Sequence, residues 1–304
     1  MKKTIEEPKI NNLLQLIKRF PTEESCREFL IQSRWGDKPV CVHCGSTEKM
    51  YKIQGGKLFK CSACKKPFSV KVGTIFEDSA LPLQKWFHAM FVVSAHKKGI
   101  SSCQLAKDIS VRQATAWHML HRIRLTMTTG SFEKPLGGIV EVDETFIGGT
   151  RHGYGKGFNP EKSPVFGMVE RGGNARIETI PNVKAETIKP IIRKGVTPDS
   201  TLMTDNYTAY KGLDKEFKDH KVINHSAHKY VDGIIHTNTI EGFWSLLKRG
   251  IVGIYHHTSK KHLHRYCEEF EYRYNSRKQN DSVRFGLLLG ACEGRLTYRA
   301  LINK

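Results

Sequence analysis

The sequence predicts an α/β protein: a mixed sheet with flanking helices in its second half, preceded by a small four-cysteine module and a helical pair. Three observations carry this. Two Cys-x-x-Cys pairs, Cys41/Cys44 and Cys61/Cys64, stand sixteen residues apart. Two helix-period patterns follow, joined near Ser110. Beyond a break containing Pro135 and a Gly-Gly pair, strand-like apolar runs alternate with helical ones, as in an α/β core.

The N-terminal segment, 1–34, ends in "TEESCREFLIQSR" (22–34), which reads as a helix. Thr22 is placed to cap it, two glutamates suit its first turn, and arginine suits its last. Residues 35–75 form the cysteine module. "MYKI" and "KLFK" are short strands, and "QGGK" between them is a turn that folds the second cysteine pair back onto the first. The spacing is that of a tetrahedral four-thiolate site for one structural Zn²⁺ held by Cys41, Cys44, Cys61 and Cys64. In so small a unit the metal supplies most of the folding energy, about 10–16 kcal/mol in apparent terms. His43 is surplus to four cysteines, and Cys26, Cys103, Cys267 and Cys292 are expected in the core.

Residues 80–130 read as helical. "LQKWFHAMFVVSAHKKG" follows Pro82 and stops at Gly99. In the next pair, Val111, Ala114, Trp117, Leu120 and Ile123 are expected to face inward, leaving Arg112, Gln113, Thr115 and His118 outward. That is the layout of a helix-turn-helix, with side chains suited to purine edges on its second helix.

Residues 137–280 hold the α/β core, and 281–304 a C-terminal helical tail. "GIVEVDETFIGG" is a strand, and "PVFGMVER" with "ARIETIPN" a hairpin around Gly172-Gly173. "KAETIKPIIRKG" is helical, "TLMTDNY" a strand, "AYKGLDKEF" helical, "KVINH" a strand and "TIEGFWSLLKRG" a helix. On that last helix Ile240, Phe243, Trp244 and Leu247 make one apolar stripe, with Glu241 and Lys248 sharing its edge. Seven residues separate the two, about 10 Å along the axis, too far for a direct ion pair.

Charge narrows the partner. The chain of 304 residues carries 49 Lys+Arg against 30 Asp+Glu, a formal charge of +19, which suits a polyanionic partner, whose condensed counterions are released on contact; the helix-turn-helix layout makes that partner double-stranded DNA. No apolar run is long enough to span a membrane, so no membrane partner is expected. The N-terminal stretch, interrupted by glutamates, does not read as a secretory signal. A cytoplasmic, nucleoid-associated protein is expected, in which the eight cysteines serve metal and core rather than disulfides.

Against this basic background three carboxylates are conspicuous. Asp143 and Asp205 each come at or near the end of an apolar strand, where the functional groups of α/β sheets gather. Glu241 adds a third from a helix. Glu141 and Glu144 compete with Asp143, Glu141 sharing its face of the strand and Glu144 lying on the other. Oxygen ligands facing a phosphate substrate suit Mg²⁺ (or Mn²⁺), and a pair of such ions activates a nucleophile and stabilises a leaving oxygen.

Thirty-five residues lie between Asp205 and Glu241, and Lys248 follows seven later. This resembles the DDE signature, with its trailing basic residue, of transposases and retroviral integrases. "VEVDETFIGG", "LMTDNYTAY", "HTNTIEGFWSLLKRGIVGIYHHTSKKHLHRYCEEFEYRYNSR" and the cysteine module resemble one bacterial insertion-sequence group, the fifteen-ninety-five family, over roughly residues 20–280. The resemblance implies a zinc ribbon and an RNase H-like catalytic domain using two Mg²⁺ ions. It implies hydrolysis at the 3′ ends of an element, then attack of the 3′-OH on target DNA, by a homodimer or higher synaptic oligomer. Asp143 and Asp205 become metal ligands and Lys248 a DNA phosphate contact. For the third ligand Asn238 competes with Glu241, since some members of the group are described as using asparagine; Asn238 is also placed to cap the helix.

The basic glycine-rich stretch "GGTRHGYGKGFNP" (148–160) suits either close approach to a DNA backbone or a plain hairpin loop. The histidine-rich run 255–278 reads as a basic helix rather than a second zinc site, its spacings being irregular. Two rivals remain. A metal-dependent nuclease without strand transfer predicts cleavage indifferent to terminal repeats. A non-catalytic transposase-derived regulator predicts binding that survives loss of Asp143 or Asp205.

Overall fold

The computed structural model describes residues 10–128, 134–148, 162–223 and 236–302. They form two compact units: residues 10–127 with 278–302, and residues 128–277. The basic stretch from residue 149 onward and the end of "KVINH" from residue 224 lie outside the described residues. No described helix is long and apolar enough to cross a membrane.

The first unit begins with helices α1 (Leu13–Arg19) and α2 (Glu23–Trp35). Thr22 caps α2 in a reciprocal box with Ser25. Strands β1 (Met50–Ile53), β2 (Leu58–Cys61) and β3 (Pro67–Phe68) make an antiparallel sheet. The β1–β2 turn needs left-handed backbone at Gln54, Gly55 and Gly56, which explains its glycines. Phe59 and Phe68 stack behind the cysteines.

Helices α3 (Leu83–Ala95), α4 (Ser102–Asp108) and α5 (Gln113–Leu125) follow. The α4–α5 turn is set by Ser110 at φ 51°. The helical pair is as expected, but its inner face is not. Ala114 is exposed and Trp117 only half-buried; Ala116, Met119, Leu120 and Ile123 are the buried apolar residues. Steps of three residues rotate by about −60° on an α-helix, so five positions in strict i+3 succession wind around it rather than line one side. His118 is also corrected: it is half-buried, its ring lying 5.5 Å from that of Tyr298.

The second unit is built on β4 (Ile139–Ile147), β5 (Ser163–Glu170), β6 (Ala175–Thr179), β7 (Thr201–Asp205) and β8 (Asp219–Ile223). Their spatial order is β6-β5-β4-β7-β8. The β4–β5 and β5–β6 pairs are antiparallel, and β4–β7 and β7–β8 parallel, which makes the sheet mixed. Helix α6 (Ala185–Gly195) covers one face, packing Ile188 and Ile192 on Val140, Val142, Phe166 and Leu202. Helices α7 (Asn238–Gly250) and α8 (Lys260–Asn275) cover the other, where Phe243, Trp244, Leu247 and Phe270 meet Val165, Val169 and Ile177. This is the RNase H-like α/β architecture expected. "AYKGLDKEF" is not one helix: it makes two single 3₁₀ turns, Thr208–Tyr210 and Leu213–Lys215, parted by Gly212 at φ 88°.

The C-terminal α9 (Asp281–Gly290) and α10 (Tyr298–Ile302) belong to the first unit. Phe285 of α9 packs edge-on against Phe87 and Phe91 of α3. The buried Arg122 guanidinium donates to the carbonyls of Ile75, Glu77 and Leu296, fastening three segments. Cys26, Cys267 and Cys292 are buried as expected, whereas Cys103 is exposed on the short α4.

Candidate active site

The second unit carries the acidic residues, and the sheet register explains how they meet. Glu141 of β4 pairs with Met203 of β7 in parallel register. Asp143 and Asp205 each lie two residues further on, so neighbouring strands present them at one level and on one face. Helix α7 crosses that face with its apolar stripe down, bringing Glu241 and Lys248 to the same place. Asp143, Glu144, Thr145, Asp205, Thr237, Glu241, Trp244, Ser245 and Lys248 line one open cleft of about 340 Å³. Asn238, exposed at the first position of α7, is not among them.

Each carboxylate is oriented by its own partner. Trp244 Nε1 donates to Asp143 Oδ2 at 2.9 Å. The Tyr207 backbone N–H donates to Asp205 Oδ1 at 3.0 Å, and the Thr237 hydroxyl to Glu241 Oε1 at 3.0 Å. Tyr210 donates its phenol to Glu144 Oε2. The crowding shows in the electrostatics. Burial, then the neighbouring Glu144, pushes the Asp143 carboxyl up to about 7, against the pull of the Trp244 hydrogen bond. Burial likewise raises Glu144, and burial beside Glu144 raises the Tyr210 phenol.

The expected helix cap is corrected. The residue preceding α7 is Thr237, whose side chain does not cap it, and Asn238 lies inside the helix with its own N–H directed at His236 Nδ1 at 3.4 Å. Glu141 of β4 caps it instead: its Oε2 accepts from the backbone N–H groups of Thr239 and Ile240 at 2.7 and 2.9 Å. Glu141 is fully buried and thus does not share the cleft with Asp143. Sequence reasoning placed Trp244 only in the apolar stripe and Glu141 only as a competitor of Asp143, and missed the part each plays here. A buried indole needs an acceptor, which is a signal for Trp244; a cap supplied from another element leaves none.

In the first unit the four cysteine sulfurs lie within 4.8 Å of one another, with Cys41–Cys64 at 3.6 Å and Cys44–Cys61 at 3.8 Å. Four converging thiols on two turns fit a structural Zn²⁺. Arg112, just before α5, and Gln113, its first residue, are exposed and Thr115 is half-buried, while Gln113 also donates to Ser102 Oγ at 2.7 Å.

Comparison with known proteins agrees with this division. The ISXO2-like transposase domain matches residues 135–275, and the transposase zinc-ribbon domain residues 21–67. An uncharacterised protein in transposable element ISH50 of Halobacterium salinarum is 29% identical over 281 residues, covering 84% of this chain and 92% of that protein. An uncharacterised transposase-like protein of Haemophilus influenzae is 37% identical over 97 residues, 32% of this chain and 77% of that protein. Among solved structures, a chain of a pre-cleavage Mos1 transpososome aligns at 12% identity and a TM-score of 0.23, over 73% of this chain and 83% of that one. A zinc ribbon followed by a mixed-sheet domain, matched in that order by the same transposase group, places the chain in the ISXO2-like transposase family.

Proposed function

We propose that this transposase hydrolyses the phosphodiester at the 3′ ends of its insertion sequence and transfers the freed 3′-OH to target DNA. The observation that carries the reading is the convergence of Asp143, Asp205 and Glu241 from β4, β7 and α7 on one cleft that also holds Lys248.

The donor set suits two hard divalent cations, Mg²⁺ or Mn²⁺. The cleft offers carboxylate oxygens and neither thiol nor imidazole, and burial, with the neighbouring Glu144 second, raises Asp143. Asp143, Asp205 and Glu241 would hold the ions, which when bound supply Lewis acidity and a more acidic water. Among the protein's own groups, Trp244 keeps Asp143 turned into the cleft and Thr237 does the same for Glu241. Lys248, two turns along α7, supplies positive charge for a strand phosphate. Glu241 is favoured over Asn238 as third ligand, because it lines the cleft and brings a charge.

The zinc ribbon and the α4–α5 pair recognise the element ends, Arg112, Gln113 and Thr115 facing the bases. His118 holds α5 against Tyr298 instead. Two ends must be held together, so the working form is a dimer or larger assembly, acting at the nucleoid in the cytoplasm.

The test is a labelled element end incubated with target DNA and Mg²⁺. Asp205→Ala and Glu241→Gln are expected to lose both 3′ cleavage and joining while still binding the end. Equal products from the wild type and both variants would sink the assignment. Loss in Asn238→Ala with Glu241→Gln intact would transfer the third ligand to Asn238. Cleavage without joining would favour the nuclease reading.

A further inference from the structure

We propose that Glu141 is a positioning residue of the carboxylate site, fixing through the N-terminus of α7 where Glu241 stands. The inference rests on the assignment of Asp143, Asp205 and Glu241 as the metal-holding set.

A carboxylate with no exposed side-chain surface survives only if its charge and lone pairs are met. Those of Glu141 are met in full. Oε1 accepts from Arg171 Nε at 2.6 Å and from the Thr239 hydroxyl at 2.8 Å. Oε2 accepts from the backbone N–H groups of Thr239 and Ile240. The two backbone donors belong to the first turn of α7, where N–H groups have no partner within the helix and where a negative charge meets the positive end of its dipole. The Thr237 hydroxyl just before the helix donates to Glu241 instead of capping them. Arg171, beyond β5, also donates through Nη2 to the His236 carbonyl at 2.8 Å. Residues 236–240 are thus gripped by one buried acid and one arginine, both anchored on the sheet.

This grip has a short lever arm. Glu141 is two residues from Asp143 on the same face of β4, and Ile240 is the residue before Glu241. The path from one proposed ligand to the other therefore runs through a two-residue step, a pair of charge-assisted hydrogen bonds and one peptide unit. With its oxygens committed to four donors on Arg171, Thr239 and Ile240, Glu141 is not itself a ligand. Its part is to set the separation of two residues that are.

The test is Mn²⁺ titration of the zinc-loaded full-length chain, followed by loss of the free-ion paramagnetic signal. Glu141→Gln keeps the volume but turns an amide N–H₂ toward at least one donor. It is expected to weaken Mn²⁺ binding about ten-fold, the usual scale for a group that orients a ligand. In a Glu241→Gln background the same change is expected to have no further effect, because Glu141 acts through Glu241. Unchanged Mn²⁺ binding in Glu141→Gln, or losses that multiply in the double variant, would overturn the proposal. Wild-type binding by Glu241→Gln alone would instead remove the metal-site assignment beneath it. Thr239→Val, which deletes one hydroxyl donor and leaves the Arg171 pair, carries the same test should Glu141→Gln not fold. A smaller loss, absent in the Glu241→Gln background, supports the proposal, and no loss overturns it.

Discussion

Gly167 governs Asp143 without touching it. The two residues are cross-strand partners on β5 and β4, and the Trp244 indole lies over the space a side chain would fill. A Cβ at Gly167 would stand 2.5 Å from Trp244 Cη2 and 3.1 Å from Ile177 Cγ2. Gly167→Ala is therefore expected to cost about 1–3 kcal/mol as the ring is displaced, measurable as a lower urea midpoint. Trp244→Phe separates packing from hydrogen bonding, keeping an aromatic ring but no donor. Since that donor holds the Asp143 carboxyl down, the variant should titrate above the value near 7 of the parent, as followed by carboxyl NMR. A value unmoved would show that the indole does not set the charge of the cleft. From sequence Trp244 was legible only as one member of an apolar stripe. Its second role depends on β5 having no side chain at one position, a fact that no helical pattern contains.

Among the elements, α8 carries a pH dependence of its own. Burial first, and for Glu271 also the nearby Glu268 and Glu178, pushes the carboxyls of Glu268 and Glu271 up to about 7. Their ordinary value is 4.5, so the folded chain binds these protons more tightly than the unfolded one. Their contribution to stability is then full below about pH 4.5 and is lost as pH rises through about 7. Glu271→Gln, which can still accept from the Ile177 N–H, is expected to flatten the fall in denaturation midpoint between pH 5 and 8; an unchanged slope would contradict this. The three-stranded ribbon is the other element with a switchable prop. Chelation of one zinc per chain should abolish its folded signal, as read by metal stoichiometry together with thermal unfolding. The succession of strands along the chain, the ribbon hairpin and the stripe of α7 were readable because period and turn chemistry are local. The inner face of α5 was not, since a run of i+3 positions imitates a stripe while winding around the helix. Nor was the cap of α7, for its acid comes from β4, about a hundred residues earlier.

For the whole molecule, the excess of 19 positive charges makes DNA affinity strongly dependent on salt. The logarithm of the binding constant should fall linearly with that of salt concentration, and Lys248→Ala should lower the slope by about one. A slope unchanged by that variant would remove Lys248 from the phosphate contacts.

The path of the chain between its two units has a consequence for the order of synthesis. The N-terminal unit holds the ribbon and the helical pair, yet Arg122 donates to the Leu296 carbonyl, Arg284 of α9 donates to the Ser94 carbonyl, and Phe87 and Phe91 rest on Phe285. A nascent chain therefore emerges with this unit incomplete and must make the entire sheet domain before the last pieces arrive. A product ending at residue 277 would keep every carboxylate of the cleft and still expose the α3 aromatics. It is expected to aggregate rather than persist as a free DNA-binding fragment. The transposase would then be delivered whole or cleared, with no partial protein left behind.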